Sequence, residues 1–111
     1  PLVFQPGAAQ ALELETNGGM PLGVLPDTVY VNYRTRLEIG QILMIGTDGL
    51  YEIEDSAGVM LGFENLARQL PRHWSGDLES FIATTFTHLS LIERDRQADD
   101  RTMVVLTRQP A

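Results

Sequence analysis

Two aspartates beside apolar runs are the residues of this chain best placed for chemistry. Asp48 lies in the Thr-Asp-Gly sequence 47–49, just after the apolar run 42–45, and Asp99 starts the Asp-Asp-Arg-Thr sequence 99–102, just before another apolar run. A carboxylate at the end of a core strand is costly to desolvate unless a partner compensates it. Carboxylate oxygens are the ligands that hard divalent cations prefer. The two motifs therefore predict one shared metal site with Asp48 and Asp99 as ligands.

The neighbours of the two aspartates also suit such a site. Gly49 would let backbone approach closely, because it has no Cβ atom. Thr102 could hydrogen-bond a neighbouring carboxylate and fix its rotamer. The alternative, equally well supported, is that Thr102 is only a β-branched residue suited to a strand. Glu52 could line the same metal site, but the simpler interpretation is that it lies in a solvated loop. The structural alternative for both motifs is that Asp-Gly forms a turn and the acidic pair flanks a strand.

Other chemistry-bearing side chains lack a catalytic context. The sequence contains no cysteine, which excludes disulfides, zinc thiolates and cysteine nucleophiles. His73 is expected in a loop beside Trp74, and His88 on a helix away from its apolar stripe. Neither histidine has an aspartate or serine at catalytic spacing. The serines lie outside any nucleophile-elbow sequence; they are Ser56, Ser75, Ser80 and Ser90.

Composition narrows the class of protein. A chain of 111 residues is expected to form one domain, and 43% hydrophobic residues are enough for a core. The net charge of −7 argues against nucleic acid or an anionic membrane as a partner. No apolar stretch approaches the roughly 18 residues of a membrane span, and no signal-peptide pattern is present. A cytoplasmic setting is expected.

The elements that must position the aspartates follow from hydrophobic periodicity. Strands are predicted at 2–5, 11–16, 29–37, 41–45 and 102–107, with 41–45 covered on both faces because it is apolar throughout. A short helix is predicted at 63–70, stopped by Pro71, and a longer one from an Asp77 N-cap to about Arg94. The order indicates an α+β fold with an antiparallel sheet and two helices inserted before the last strand.

A series of motifs in this order resembles a known family. They are Met-Pro-Leu-Gly at 20–23, Leu-Glu-Ile-Gly-Gln-Ile-Leu at 37–43, Thr-Asp-Gly-Leu-Tyr-Glu at 47–52, Gly-Phe-Glu-Asn-Leu at 62–66 and Asp-Asp-Arg-Thr at 99–102. The series is similar to the C-terminal half of the SpoIIE-like branch of the metal-dependent, PPM-type serine/threonine protein phosphatases.

The resemblance implies an α/β/β/α sandwich with two Mn²⁺ or Mg²⁺ ions at one end. Asp48 and Asp99 would be metal ligands, and Asp100 would orient a ligand or bind water. Water activated by the ions would attack phosphorus in line, without a phosphoenzyme. The implied reaction is hydrolysis of phosphoserine or phosphothreonine on a bacterial signalling protein of the anti-sigma-factor antagonist type.

One motif of the resembled family is absent from these 111 residues, namely the Gly-Asp-x-x-Gly-His-Gly segment whose aspartate bridges both metals. Residues 1–111 are therefore expected to be the C-terminal part of a phosphatase domain, binding metal weakly and hydrolysing little alone. The expected partners are the phosphorylated substrate, the missing N-terminal half or an upstream sensor or receiver domain, and a second copy. The alternatives are a catalytically inactive phosphatase-like regulatory module and a small acidic domain whose aspartates only turn the chain.

Overall fold

A computed structural model describes residues 1–14, 19–93 and 100–111. Its strands are β1 (Leu2–Phe4), β2 (Leu12–Glu13), β3 (Ile42–Gly46) and β4 (Met103–Thr107), and its helices are α1 (Phe63–His73) and α2 (Leu78–Ile92). The strands form one antiparallel sheet in the order β2-β1-β3-β4. The predicted α+β fold, with two helices before the last strand, is confirmed.

Both helices pack on one face of this sheet, which we call the inner face. Leu2 pairs with Met44 and Phe4 with Ile42, and all four side chains are buried there. Phe81 of α2 contacts the ring of Phe4, with centroids 5.7 Å apart. The rest of the buried apolar core comes from the two helices and the loops beside them: Ala11, Leu50, Ile53, Leu61, Leu66, Ala67, Leu70 and Leu89.

Helix α1 continues past Pro71, so the prediction that Pro71 stops it was wrong. A proline inside a helix has no N–H for the carbonyl four residues earlier, which leaves that carbonyl without a partner. Here the carbonyl is that of Ala67, and it accepts the backbone N–H of Ala11 at 2.7 Å instead. Because a neighbouring loop satisfies it, the helix reaches His73.

Helix α2 begins as predicted, with the Asp77 side chain accepting the backbone N–H of Ser80 at 2.8 Å. This hydrogen bond lowers the pKa of Asp77, because it favours the charged form of the carboxyl group. Phe81, Thr85 and Leu89 are the buried positions of its inward stripe. Within residues 1–14, 19–93 and 100–111, no helix has both the length and the apolar character needed to cross a membrane.

The opposite face of the sheet, which we call the outer face, carries exposed apolar side chains. Cross-strand partners project from the same face, and the pairing places these residues together: Leu12, Val3, Leu43, Leu106, Ile45 and Val104. Val3 and Leu43 are half-buried, and the other four are exposed. Ile45 is 44% exposed, Leu106 48% and Val104 51%. The prediction that 41–45 is covered on both faces was therefore wrong for this chain, since both helices lie on the inner face.

The strand predicted at 29–37 was also wrong, because this segment has no regular secondary structure. Its alternating β-branched and aromatic residues suit a half-buried pleated surface, yet Val29 is 87% and Val31 66% exposed. A strand needs a partner, and within the described ranges no strand pairs with this segment. The strand predicted at 11–16 is found at Leu12–Glu13, and residues 15–18 lie outside the described residues.

Candidate functional site

Two distant parts of the chain meet at the end of β3, and we call residues 47–49 with residues 100–102 the aspartate junction. After β3 the chain turns through a short 3-10 helix, Asp48–Leu50. Leu50 is buried and folds back over Gly46, where an added Cβ atom would lie 2.1 Å from Leu50 Cδ1. The buried leucine therefore holds the turn against the core while Asp48 stays exposed.

Thr47 forms three hydrogen bonds across the aspartate junction. Its backbone N–H donates to the carbonyl of Thr102 at 3.1 Å. Its hydroxyl accepts the N–H of Thr102 at 3.1 Å and donates to the carbonyl of Asp100 at 3.3 Å. These bonds extend the pairing of β3 and β4 beyond the sheet, so the segment holding Asp48 is fixed against the segment that enters β4.

Gly49 permits the closest backbone approach in the aspartate junction. A Cβ atom at this position would lie 2.2 Å from the carbonyl oxygen of Asp100 and 3.4 Å from Arg101 Cγ. Real Cβ atoms do not approach a backbone oxygen so closely, so a larger residue would push the two segments apart. The close backbone approach expected at Gly49 is thus present.

Arg101 joins the aspartate junction to the end of α2. Its Nε donates to the carbonyl of Gly49 at 3.0 Å, and its Nη2 forms an ion pair with Glu93, the residue that caps α2. The side chains of Arg101 and Glu93 are only 3% and 9% exposed. A buried guanidinium needs such partners, because desolvating an unpaired charge is costly.

The predicted site residues divide between described and undescribed positions. Asp48 and Asp100 are exposed and lie in segments that hydrogen bonds hold together. Thr102 contributes its backbone N–H and carbonyl to the contacts with Thr47. Asp99 lies outside the described residues, so its role as a ligand stays a prediction.

The described residues near the aspartate junction would offer a metal ion carboxylate oxygens. Among residues 1–14, 19–93 and 100–111, no group of three or more potential metal-ligating side chains is found. Glu52 is exposed, as expected for a solvated loop. The oxygen donors of Asp48 and Asp100 suit a hard cation such as Mg²⁺ or Mn²⁺, and a complete site would need further ligands.

The two histidines lie between α1 and α2, which differs from the prediction that His73 sits in a loop. His73 is the last residue of α1 and is buried, and its Nδ1 is 3.0 Å from the Thr85 hydroxyl. The His88 ring lies 4.8 Å from that of His73, and His88 Nε2 is 3.0 Å from Gln69 Oε1. Burial, and then the charge of His88, lower the pKa of His73.

Sequence reasoning missed three residues that organise the aspartate junction: Thr47, Glu93 and Arg101. Thr47 belongs to the Thr-Asp-Gly motif, and a threonine beside a strand-end aspartate was an available signal. Arg101 occupies the variable position of Asp-Asp-x-Thr, where a cation next to two acidic residues was a second signal. Glu93 offered none, because its partner is set by how α2 packs.

Comparison with curated proteins and with solved structures found no match. A family model does match, and it covers almost the whole chain, residues 1–109. That model describes stage II sporulation protein E, SpoIIE. The matched range includes both segments of the aspartate junction. The chain therefore belongs to the SpoIIE family and is a phosphatase-related domain.

Proposed function

We propose that this chain supplies Asp48 and Asp99 to a two-metal site that hydrolyses phosphoserine or phosphothreonine on a bacterial signalling protein. The observation that carries the proposal is the aspartate junction, where the Asp48 turn is bonded directly to the segment 100–102 that follows Asp99. Membership of the SpoIIE family supports a phosphatase-related activity. The substrate class, of the anti-sigma-factor antagonist type, and the cytoplasmic setting come from the family resemblance.

The residues of this chain would act by holding and orienting. Asp48 and Asp99 would hold Mn²⁺ or Mg²⁺, with Asp100 orienting a ligand or water and Gly49 and Thr102 maintaining the close contact between the two segments. Such ions supply Lewis acidity that activates water and stabilises charge on phosphoryl oxygens. The negative charge of the chain suits divalent cations and argues against nucleic acid or anionic membrane as partners.

The remaining metal ligands and a cover for the outer face would come from other protein. We propose that the outer face packs against the rest of a phosphatase sandwich, because four of its six apolar side chains are exposed in this chain. A neighbouring sensor or receiver domain would control that assembly, and a second copy could occupy the same face. Exposed apolar sheet faces favour association of this kind.

The test is Mn²⁺-dependent dephosphorylation of phosphoserine and phosphothreonine peptides by the protein as its gene encodes it. Asp48→Asn and Asp99→Asn should each lower turnover by about 100-fold or more, since changes beyond the direct ligands alone cost roughly 10- to 100-fold. Asp27→Asn is the matched control. Asp27 has a φ of 62°, a conformation that asparagine also adopts readily.

Two results would contradict the phosphatase proposal. The first is wild-type protein without Mn²⁺-dependent turnover, which would favour the inactive regulatory module. The second is turnover that survives both aspartate substitutions. The 111-residue chain alone should show little activity, because two carboxylates do not preorganise a two-metal site.

A further inference from the structure

Arg101 is the buried cation at the centre of the aspartate junction. Its guanidinium uses Nε for the Gly49 carbonyl, 3.0 Å away, and Nη2 for the Glu93 carboxylate. The side chain is 3% exposed. Three parts of the fold therefore meet on one side chain: the Asp48 turn, the entry to β4 and the end of α2.

A guanidinium near a phosphatase site could instead bind the phosphate of the substrate, because its N–H groups match phosphate oxygens. The geometry argues against that role for Arg101. Its side chain is shielded from solvent, and two of its donors already bond Gly49 and Glu93. A substrate phosphate would have to displace a buried ion pair to reach it.

The bond to Gly49 acts on the turn that carries Asp48. The carbonyl of Asp48 accepts the N–H groups of Tyr51 and Glu52 at 3.0 and 2.8 Å, so the turn is closed by its own hydrogen bonds. Arg101 holds the next carbonyl in this turn from the opposite segment. Ligand carboxylates placed within about 0.5 Å need this kind of support from neighbouring side chains.

We propose that Arg101 is a positioning residue for the metal site, acting with Glu93 to fix the Asp48 turn against segment 100–102. The inference rests on the proposed function, since it concerns the same metal ligands. In this role Arg101 would act without contacting the metals or the substrate, because its guanidinium bonds Gly49 and Glu93. It determines the position of Asp48 relative to segment 100–102.

The experiment measures the Mn²⁺ dissociation constant directly, by calorimetry, together with kcat and KM of the protein as its gene encodes it. Arg101→Lys keeps a charge for Glu93, but an ammonium cannot reproduce the planar pair of donors that also bonds Gly49. We expect it to raise the dissociation constant about 10-fold or more and to leave KM for a phosphopeptide unchanged. The matched control is Arg68→Lys, an exposed arginine on α1 whose affinity for Mn²⁺ should equal that of wild type.

A second variant guards against loss of folding. Arg101→Gln leaves Glu93 as a buried unpaired charge, whereas Arg101→Gln with Glu93→Gln removes both charges together. The double variant should fold and still bind Mn²⁺ about 10-fold more weakly. In metal-free protein its Tyr51 and Glu52 amides should exchange hydrogen faster than in wild type, while the Leu61 amide, bonded to Ile53, should not change.

The outcomes separate the two claims. Wild-type protein that binds no Mn²⁺ would overturn the proposed function, and this inference with it. If the wild type binds Mn²⁺, and Arg101→Lys and the double variant bind it with the same dissociation constant, the positioning role alone is overturned. A lower melting temperature with unchanged Mn²⁺ affinity would show that Arg101 is only structural, which also overturns it.

Discussion

Thr47 and Thr102, 55 residues apart in the chain, are joined by two hydrogen bonds at the end of the sheet. The Thr47 N–H donates to the Thr102 carbonyl, and the Thr47 hydroxyl accepts the Thr102 N–H, each at 3.1 Å. Where β3 ends, the Thr47 hydroxyl thus takes the place of a backbone carbonyl as the acceptor for the Thr102 N–H. This exchange is what aligns the Thr-Asp-Gly turn with the Asp-Asp-x-Thr segment.

Thr47→Val should therefore destabilise the aspartate junction. Valine has nearly the shape of threonine but leaves the Thr102 N–H without its acceptor, so we expect a loss of about 1 kcal/mol in the free energy of unfolding. Chemical denaturation measures it. Thr84→Val, at an exposed position of α2, is the matched control and should change stability by less than about 0.5 kcal/mol. Equal effects of the two substitutions would contradict the role of the hydroxyl.

Gly49→Ala should be more damaging than its size suggests. The new Cβ atom would stand 2.2 Å from the Asp100 carbonyl oxygen, and backbone on both sides would have to shift. Overpacking of this kind costs about 1–3 kcal/mol, and denaturant unfolding would measure the loss. Gly19→Ala is the control, because its Cβ atom would meet only Tyr30 ring atoms at 3.7 and 3.8 Å. A Gly49→Ala protein as stable as Gly19→Ala would argue against the close approach.

The buried His73 should make stability fall on acidification. Its pKa is lowered in the folded protein by burial and by His88. Below pH 6.5 the His73 side chain therefore binds a proton more readily in the unfolded chain than in the folded protein, which favours unfolding. This loss grows as pH falls through 6.5 and is complete below the folded pKa. His73→Asn should flatten the change between pH 7.5 and 5.5, measured by urea unfolding at each pH.

His88→Gln is the comparison for that experiment, because it removes only the smaller cause of the shift. It should flatten the pH dependence less than His73→Asn does. If the wild type and His73→Asn lose the same unfolding free energy over this pH range, His73 is not the group that titrates.

The exposed side chains of the outer face allow a test of the proposal that further protein covers it. In the 111-residue chain, Leu106→Gln should lower the fluorescence of a hydrophobic dye, because Leu106 is 48% exposed there. In the protein as its gene encodes it, the same change should cost about 2 kcal/mol, the value of burying a leucine side chain. Leu91→Gln, at a position 80% exposed on α2, should cost less than about 0.5 kcal/mol. A small, equal cost for both would mean that nothing covers the outer face.

The sequence alone determined the local elements of this protein. The apolar run at 42–45, the Asp77 N-cap and the helical spacing of Phe81, Thr85 and Leu89 each produce the element they predict, because period and capping are properties of neighbouring residues. The same local reading failed at 29–37, because alternation marks a segment suited to a sheet without supplying a partner strand.

Only the tertiary structure decided how those elements meet. Pro71 is accommodated because Ala11, far away in the chain, donates to the Ala67 carbonyl, and Arg101 finds Glu93 because α2 ends beside β4. The aspartate motifs predicted a metal site, but the hydrogen bonds that fix the Asp48 turn join residues more than fifty positions apart. Such contacts depend on how the elements pack in three dimensions. The hydrophobic pattern of a sequence indicates which face of an element is buried, but not which residues pack against that face.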